Sequence, residues 1–205
     1  MAARWTPQPA TEFFIGRRAA SQAQIDKYNK ILEAAYELAD KGGYDALQMR
    51  AVSDVSGVAL ATIYRYFKSR DYLAYILGIS WIAQVVGRHG LAPEKTSSLR
   101  ALRRTIYASA ADLKEHPNML QTFTRSMLTS DPLVGDDRRH ITATFSWGAP
   151  KGVRQKDWET MTYYMDLVYW AGLLRWTYGQ KDYEGIARDV DGVATMAVKA
   201  LEIFK

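Results

Sequence analysis

The 205-residue chain contains no cysteine. That excludes a disulfide scaffold, a cysteine nucleophile, an iron–sulfur cluster and any cysteine-ligated zinc site. Only three histidines occur, His89, His116 and His140, far apart and without the helical spacing of a metal pair. His116 stands before Pro117 and is expected to end a helix. Long apolar runs are also missing. The uncharged stretch from Tyr72 to Gly87 is interrupted by Ser80 and Gln84, short of the ~20 apolar residues a spanning helix needs. The N-terminus lacks the basic start and apolar run of a secretory signal. No segment alternates apolar and polar residues over several strands. Neither glycine-rich nucleotide loops nor the GxSxG and HExxH motifs appear. The expectation is a soluble, cytoplasmic, all-α protein without an enzyme motif, metal or cofactor, although paired carboxylates that meet from distant positions leave an enzyme open.

What is present is globular in balance, 48% hydrophobic and 24% charged. The length allows one large domain or two small ones. The net charge of +5 is spread along the chain and is a weak indication of nucleic acid. The local pattern is more informative. From Val55 to Arg70 there are Arg65, Lys68 and Arg70 and no acid.

Residues 1–20 hold Pro7, Pro9, Gly16 and Arg17-Arg18 and read as a flexible arm. Ser21 and Gln24 form a candidate capping box. Ile25, Tyr28, Leu32, Ala35 and Ala39 then recur at helical spacing, until Gly42-Gly43 stops the helix. A short helix over about 48–55 buries Met49, Val52 and Val55. Ser56-Gly57-Val58 makes a tight turn, and a third helix runs over about 60–67. Two short helices joined at a glycine describe a helix-turn-helix. A longer helix over about 69–86 follows, with Asp71 in its first turn. A loop is expected over 87–98. Further helices are expected over 97–115, 118–129, 136–147, 156–178 and 182–204.

The segment Leu47–Leu73 carries the most chemistry. Val52, Val58, Ile63 and Phe67 are placed to form a small core. Leu60, Ala61, Thr62, Tyr64, Arg65 and Tyr66 include the outward set. Small residues at the start of the helix allow close approach to base edges, and Thr62 suits a phosphate or a thymine methyl. Tyr64, Tyr66 and Lys68 offer hydroxyl and cationic contacts to phosphates.

Gly57-Val58 followed by Thr62-Ile63-Tyr64-Arg65-Tyr66-Phe67-Lys68-Ser69-Arg70 resembles the TetR family of bacterial transcription regulators, over about residues 21–75. Gln48-Met49-Arg50-Ala51-Val52, together with Lys41-Gly42-Gly43-Tyr44, is similar to actinobacterial repressors of steroid catabolism. The resemblance implies DNA contacts from Gln48, Arg50, Leu60, Ala61, Thr62, Tyr64, Arg65, Tyr66 and Lys68. Three departures stand out. Gln48 occupies the usual threonine cap of the second helix, Ala59 the usual serine cap of the recognition helix, and Ala61 a position often held by glycine. A lost cap costs about 1 kcal/mol locally.

The C-terminal part is dense in aromatics. Seven lie between Trp158 and Tyr178, and Asp166 is the only charge between Met161 and Leu174. A helix apolar all round is buried on more than one face. The last helix has small residues, Gly192, Ala194, Ala197 and Ala200, that permit close helix approach. The resemblance implies a ligand cavity lined by Trp81, Phe123, Met127, Trp147, Tyr163, Tyr164 and Trp170, with Asp166 as a polar member. It also implies a four-helix dimer interface including Leu174, Val193, Ala197 and Leu201. The expected organisation is an arm over 1–20, a helix-turn-helix domain over 21–68 and a ligand-binding and dimerisation domain over 69–205. The expected function is a homodimeric repressor on a near-palindromic operator in double-stranded DNA. A large apolar molecule of steroid or acyl-CoA type would release it. The competing reading is an all-α small-molecule binding protein or enzyme without DNA binding.

Overall fold

The computed structural model describes residues 21–89, 98–138 and 149–203, and the described residues contain helices and no strand. α1 (Gln22–Ala46) opens on the expected capping box: the Ser21 backbone N–H donates to Gln24 Oε1 at 2.8 Å, and the Gln24 N–H to Ser21 Oγ at 3.4 Å. Its helical geometry breaks at Gly43, where φ is 68° and ψ −165°, so the glycine pair does stop the regular helix. There follow α2 (Met49–Ser56), α3 (Leu60–Tyr66), α4 (Arg70–His89), α5 (Leu99–Lys114), α6 (Pro117–Met127), α7 (Pro132–Arg138), α8 (Gln155–Thr177) and α9 (Tyr183–Ala200). The helix expected over 136–147 differs. α7 begins earlier, with Pro132 in its first turn and the Leu133 N–H on Asp131 Oδ1 at 2.9 Å. Residues 139–148 lie outside the described residues, as do the expected arm and most of the 87–98 loop.

Packing divides the chain into two units. One joins the chain up to Gln84 to His116–Gly135; the other joins Val85–Glu115 to Asp136–Lys205. In the first, α1 packs on α2 and α6, and α2 on α3. Tyr28, Ile31, Leu32, Ala35 and Ala39 of α1 are buried, the face that the helical spacing marks. His116 does not end α5, whose C-cap is Glu115, but stands at the N-cap of α6 without a side-chain cap bond. It precedes α6, and its Nδ1 lies 2.9 Å from Asp40 Oδ1 of α1, while Asn118 Nδ2 donates to the backbone oxygens of Asp40 and Lys41. At Gly78 of α4 the ring of Phe123 from α6 sits so close that a Cβ would fall 2.1 Å from Phe123 Cδ2.

In the second unit α9 packs on α8 and α5. Gly172 of α8 admits Ile186 of α9; a Cβ there would come within 2.9 Å of Ile186 Cγ2. Arg103 of α5 reaches across to α9, with Nε 2.5 Å from Asp191 Oδ1 and Nη2 2.7 Å from Thr195 Oγ1. The buried hydroxyls of Tyr169 and Tyr183 bond each other at 3.0 Å. Burial pushes the Tyr169 phenol up to about 12 and holds the Tyr183 phenol well above its ordinary value of 10.0.

Two outcomes are expected. Gly78→Ala sets a helix-propensity gain of about 1 kcal/mol against a steric cost of roughly 1–3 kcal/mol. It should lower stability in the native background and raise it in a Phe123→Ala background, read by urea unfolding. Raised phenol pKa values stabilise the fold fully below the ordinary value and lose that contribution as pH rises through the raised one. The melting temperature should therefore fall between about pH 10 and 12, less steeply in Tyr169→Phe.

Candidate nucleic-acid interface

The turn between α2 and α3 is fixed by Gly57, which takes the left-handed conformation (φ 67°, ψ 12°) that a side chain would resist. Two serines close it. Ser53 Oγ donates to the Val58 carbonyl at 2.8 Å, and the Val58 N–H donates to Ser56 Oγ at 3.2 Å. Beneath the turn, Val52, Val58, Ile63 and Phe67 are all buried, the small core expected of them. Phe67 stacks on Tyr28 of α1, with centroids 5.2 Å apart. Tyr28 is a residue that sequence reading assigned only to a helix face, yet it is the floor on which α3 rests.

Around this core the expected contact residues differ in exposure. Gln48, Arg50, Ala61, Tyr64, Arg65 and Lys68 are exposed, and Leu60, Thr62 and Tyr66 partly so. Tyr64 stands 44% exposed although it is a large aromatic on a helix with a buried neighbour, Ile63. Tyr66 is placed differently. Its hydroxyl donates to the Gln24 carbonyl at 3.4 Å and its ring meets Tyr28 edge-to-face at 6.2 Å, so it braces α3 against the first turn of α1. The two unusual cap residues behave as their chemistry dictates. Neither Gln48 nor Ala59 gives a side-chain cap; Gln48 Nε2 donates back to the Asp45 carbonyl at 2.9 Å.

A polar junction behind this surface ties three helices together. The Tyr44 hydroxyl and the Thr129 hydroxyl both donate to the Asp71 carboxylate at the start of α4. The guanidinium groups of Arg70 and Arg125 lie over the Tyr44 ring at 4.2 and 4.4 Å, and Arg125 Nη1 bonds Asp45 Oδ1 at 3.0 Å. Ser69 donates to Asp131. Asp71 was legible as a first-turn acid; its hydroxyl partners, distant in sequence, were not.

Residues 31–74 match the model of bacterial regulatory proteins of the tetR family. The helix-turn-helix segment of this chain is thus similar to that of the tetR-family regulators. It is 30% identical over 112 residues to the HTH-type transcriptional repressor KstR of Rhodococcus jostii, covering 55% of this chain and 52% of that protein. The chain thus spans about half the length of that relative. It is 24% identical over 180 residues to KstR of Mycobacterium tuberculosis, covering 83% and 80%. A TetR transcriptional regulator from Rhodococcus sp. RHA1 has the same fold, with a TM-score of 0.71 at 21% identity over 88% of this chain and 99% of that one.

The residues expected to line a ligand cavity fall into both units. In the first, Trp81 and Phe123 are buried and Met127 is partly exposed. In the second, Asp166 is buried and Trp170 partly exposed. Tyr163 and Tyr164, expected to face an interior, stand 51% and 53% exposed instead. The reason is register: the buried stripe of α8 runs through Trp158, Met161, Met165, Tyr169 and Leu173, and they lie on the other side. Trp147 lies outside the described residues. Of the expected dimer contacts, Leu174 is exposed and Val193, Ala197 and Leu201 are partly so.

The missing cap gives a direct test. Ala59→Ser should supply an acceptor to the first turn of α3 and stabilise the protein by about 1 kcal/mol. Thermal melts should show the gain, and no gain would mean that the turn cannot present the hydroxyl.

Proposed function

We propose that the protein is a homodimeric transcriptional repressor whose α3 enters the major groove of operator DNA and whose C-terminal region binds an apolar effector. The observation that carries this reading is the exposed Ala61, Tyr64, Arg65 and Lys68 surface on a glycine-fixed turn, within the segment that matches the family. Small residues near the start of α3 let the helix approach base edges, and Tyr64, Arg65 and Lys68 position it on phosphates. Gln48 and Arg50 approach the backbone from the start of α2. The domain over 21–68 reads DNA; residues 69–205 bind effector and partner subunit.

Dimerisation is supported by the outer face of α8 and α9. Tyr163, Tyr164, Leu167, Leu174 and Met196 are all exposed there, more apolar surface than a lone helix pair ordinarily leaves in water. A second copy presenting the same face covers it by two-fold symmetry. The operator is then a near-palindrome with half-sites about one helical turn, or a multiple of it, apart. The effector is a large apolar molecule of steroid or acyl-CoA type. By binding better to the state that does not fit DNA, it shifts α4 and weakens operator affinity by roughly 5–150-fold.

Selection of bound fragments from random double-stranded DNA tests the reading. An inverted repeat is expected, with affinity falling steeply as salt rises. No enrichment by folded, dimeric protein at low salt would defeat it. On the selected site, Tyr64→Ala should lower affinity on the order of a hundredfold or abolish binding, with the dimer intact by sedimentation. Retained affinity would remove α3 from its assigned role.

A further inference from the structure

The last residue of α3, Tyr66, is tied to the first turns of α1. Its hydroxyl donates to the Gln24 carbonyl at 3.4 Å, and its ring meets Tyr28 edge-to-face at 6.2 Å. A recognition helix puts its N-terminal residues nearest the base edges. Its C-terminal end then rises to the phosphate wall of the groove, and the start of α1 goes with it. Beyond that wall lies the minor groove.

The chain enters α1 at this end. Ser21, its N-cap, is exposed and extended, with φ −67° and ψ 153°. Arg17 and Arg18 precede it in the sequence, separated from it only by the small residues Ala19 and Ala20. Four extended residues reach about 13 Å, against a minor-groove width of about 6 Å. No acid occurs from Phe13 to Ile25. The first acid of α1, Asp26, accepts a bond from Gln22 Nε2 at 2.8 Å. Lys27 beside it is exposed and has no ion pair among the described residues. The positive charge on this side of α3 is therefore uncompensated.

We infer that Arg17 and Arg18 enter the minor groove bordering each half-site and select A·T pairs there. An extended chain fits that groove where a helix does not. The narrow minor groove of an A·T tract concentrates negative potential and attracts a guanidinium. A G·C pair instead places the guanine 2-amino group, a donor, on the groove floor. α3 thus reads one groove and the segment before α1 the next, with Tyr66 fixing the spacing between them. This rests on the DNA-binding reading given above and adds a sequence preference at base pairs that α3 does not reach.

Three versions of the selected operator test it, differing only in the base pairs that border the half-sites: A·T, G·C and inosine·C. Inosine keeps the major-groove edge of guanine and lacks its minor-groove amino group. Fluorescence anisotropy with the full-length protein should show similar affinity for the A·T and inosine·C borders. The G·C borders should bind roughly five- to tenfold more weakly. Arg17→Gln with Arg18→Gln, which alters no residue of α1, should erase that difference. It should also make the salt slope shallower by about 1.8, the share of two charges. The three duplexes are compared in the native protein, so a defective variant does not decide the matter. Equal affinity for all three overturns the inference, and so does discrimination that survives in the double variant. A variant uniformly weaker on every duplex, with no border preference in the native protein, leaves phosphate contacts alone and overturns it too. Failure to select any operator defeats the DNA-binding reading and this one with it, whereas the border results bear on this one alone.

Discussion

A helix of seven residues does not hold itself together in water, because nucleation costs more than so few backbone bonds return. α3 is such a helix, and everything its outer face presents depends on what lies under it. Ile63 and Phe67 are buried, Phe67 stacks on Tyr28, and Val52 and Val58 close the sides. The outward residues can be small, polar and basic because the inward ones alone hold the helix in place. Tyr66 adds a tether to the Gln24 carbonyl on the opposite end of the same support. The first turn of α1, the glycine turn and the recognition surface thus form one mechanical piece.

That piece does not end with the segment that matches the family. α6 covers α1 in the same packing unit, and residues 129–131 reach the start of α4 through Thr129 to Asp71 and through Ser69 to Asp131. Tyr44 sits at the centre, bonded to Asp71 and overlain by Arg70 and Arg125. Charged and aromatic groups distant in the chain are gathered here, so the start of α4, just after α3, is held partly by residues roughly sixty positions downstream. A change at α6 reaches α4 through these contacts without crossing solvent.

Local features were legible in the sequence because local physics decides them. The Ser21 and Gln24 box, the break at Gly43, the turn at Gly57 and the four core residues of the helix-turn-helix all depend on neighbours within a few positions. The family string Thr62–Arg70 is equally local. What was hidden is long-range. Nothing near Tyr44 announces Arg125, and nothing near Gly78 announces Phe123. The cavity list shows the limit most clearly. Between Met161 and Leu174 α8 carries one charge, Asp166, so hydrophobicity could not say which face turns inward, and Tyr163 and Tyr164 lie on the outer one. His116 was read from the proline after it, whereas Asp40, far upstream, sets its role.

α2 and α3 both begin without a side-chain cap, and both belong to the surface assigned to DNA. Their first turns therefore open more readily than the helices that support them. Warming should loosen the reading head well before the scaffold melts, so grip on DNA fails at a lower temperature than the fold does. In the proposed complex, phosphate oxygens at those same helix starts would supply the acceptors that the side chains lack. The polynucleotide would then act as the missing cap, and part of the order of that surface would belong to the complex and not to the free protein.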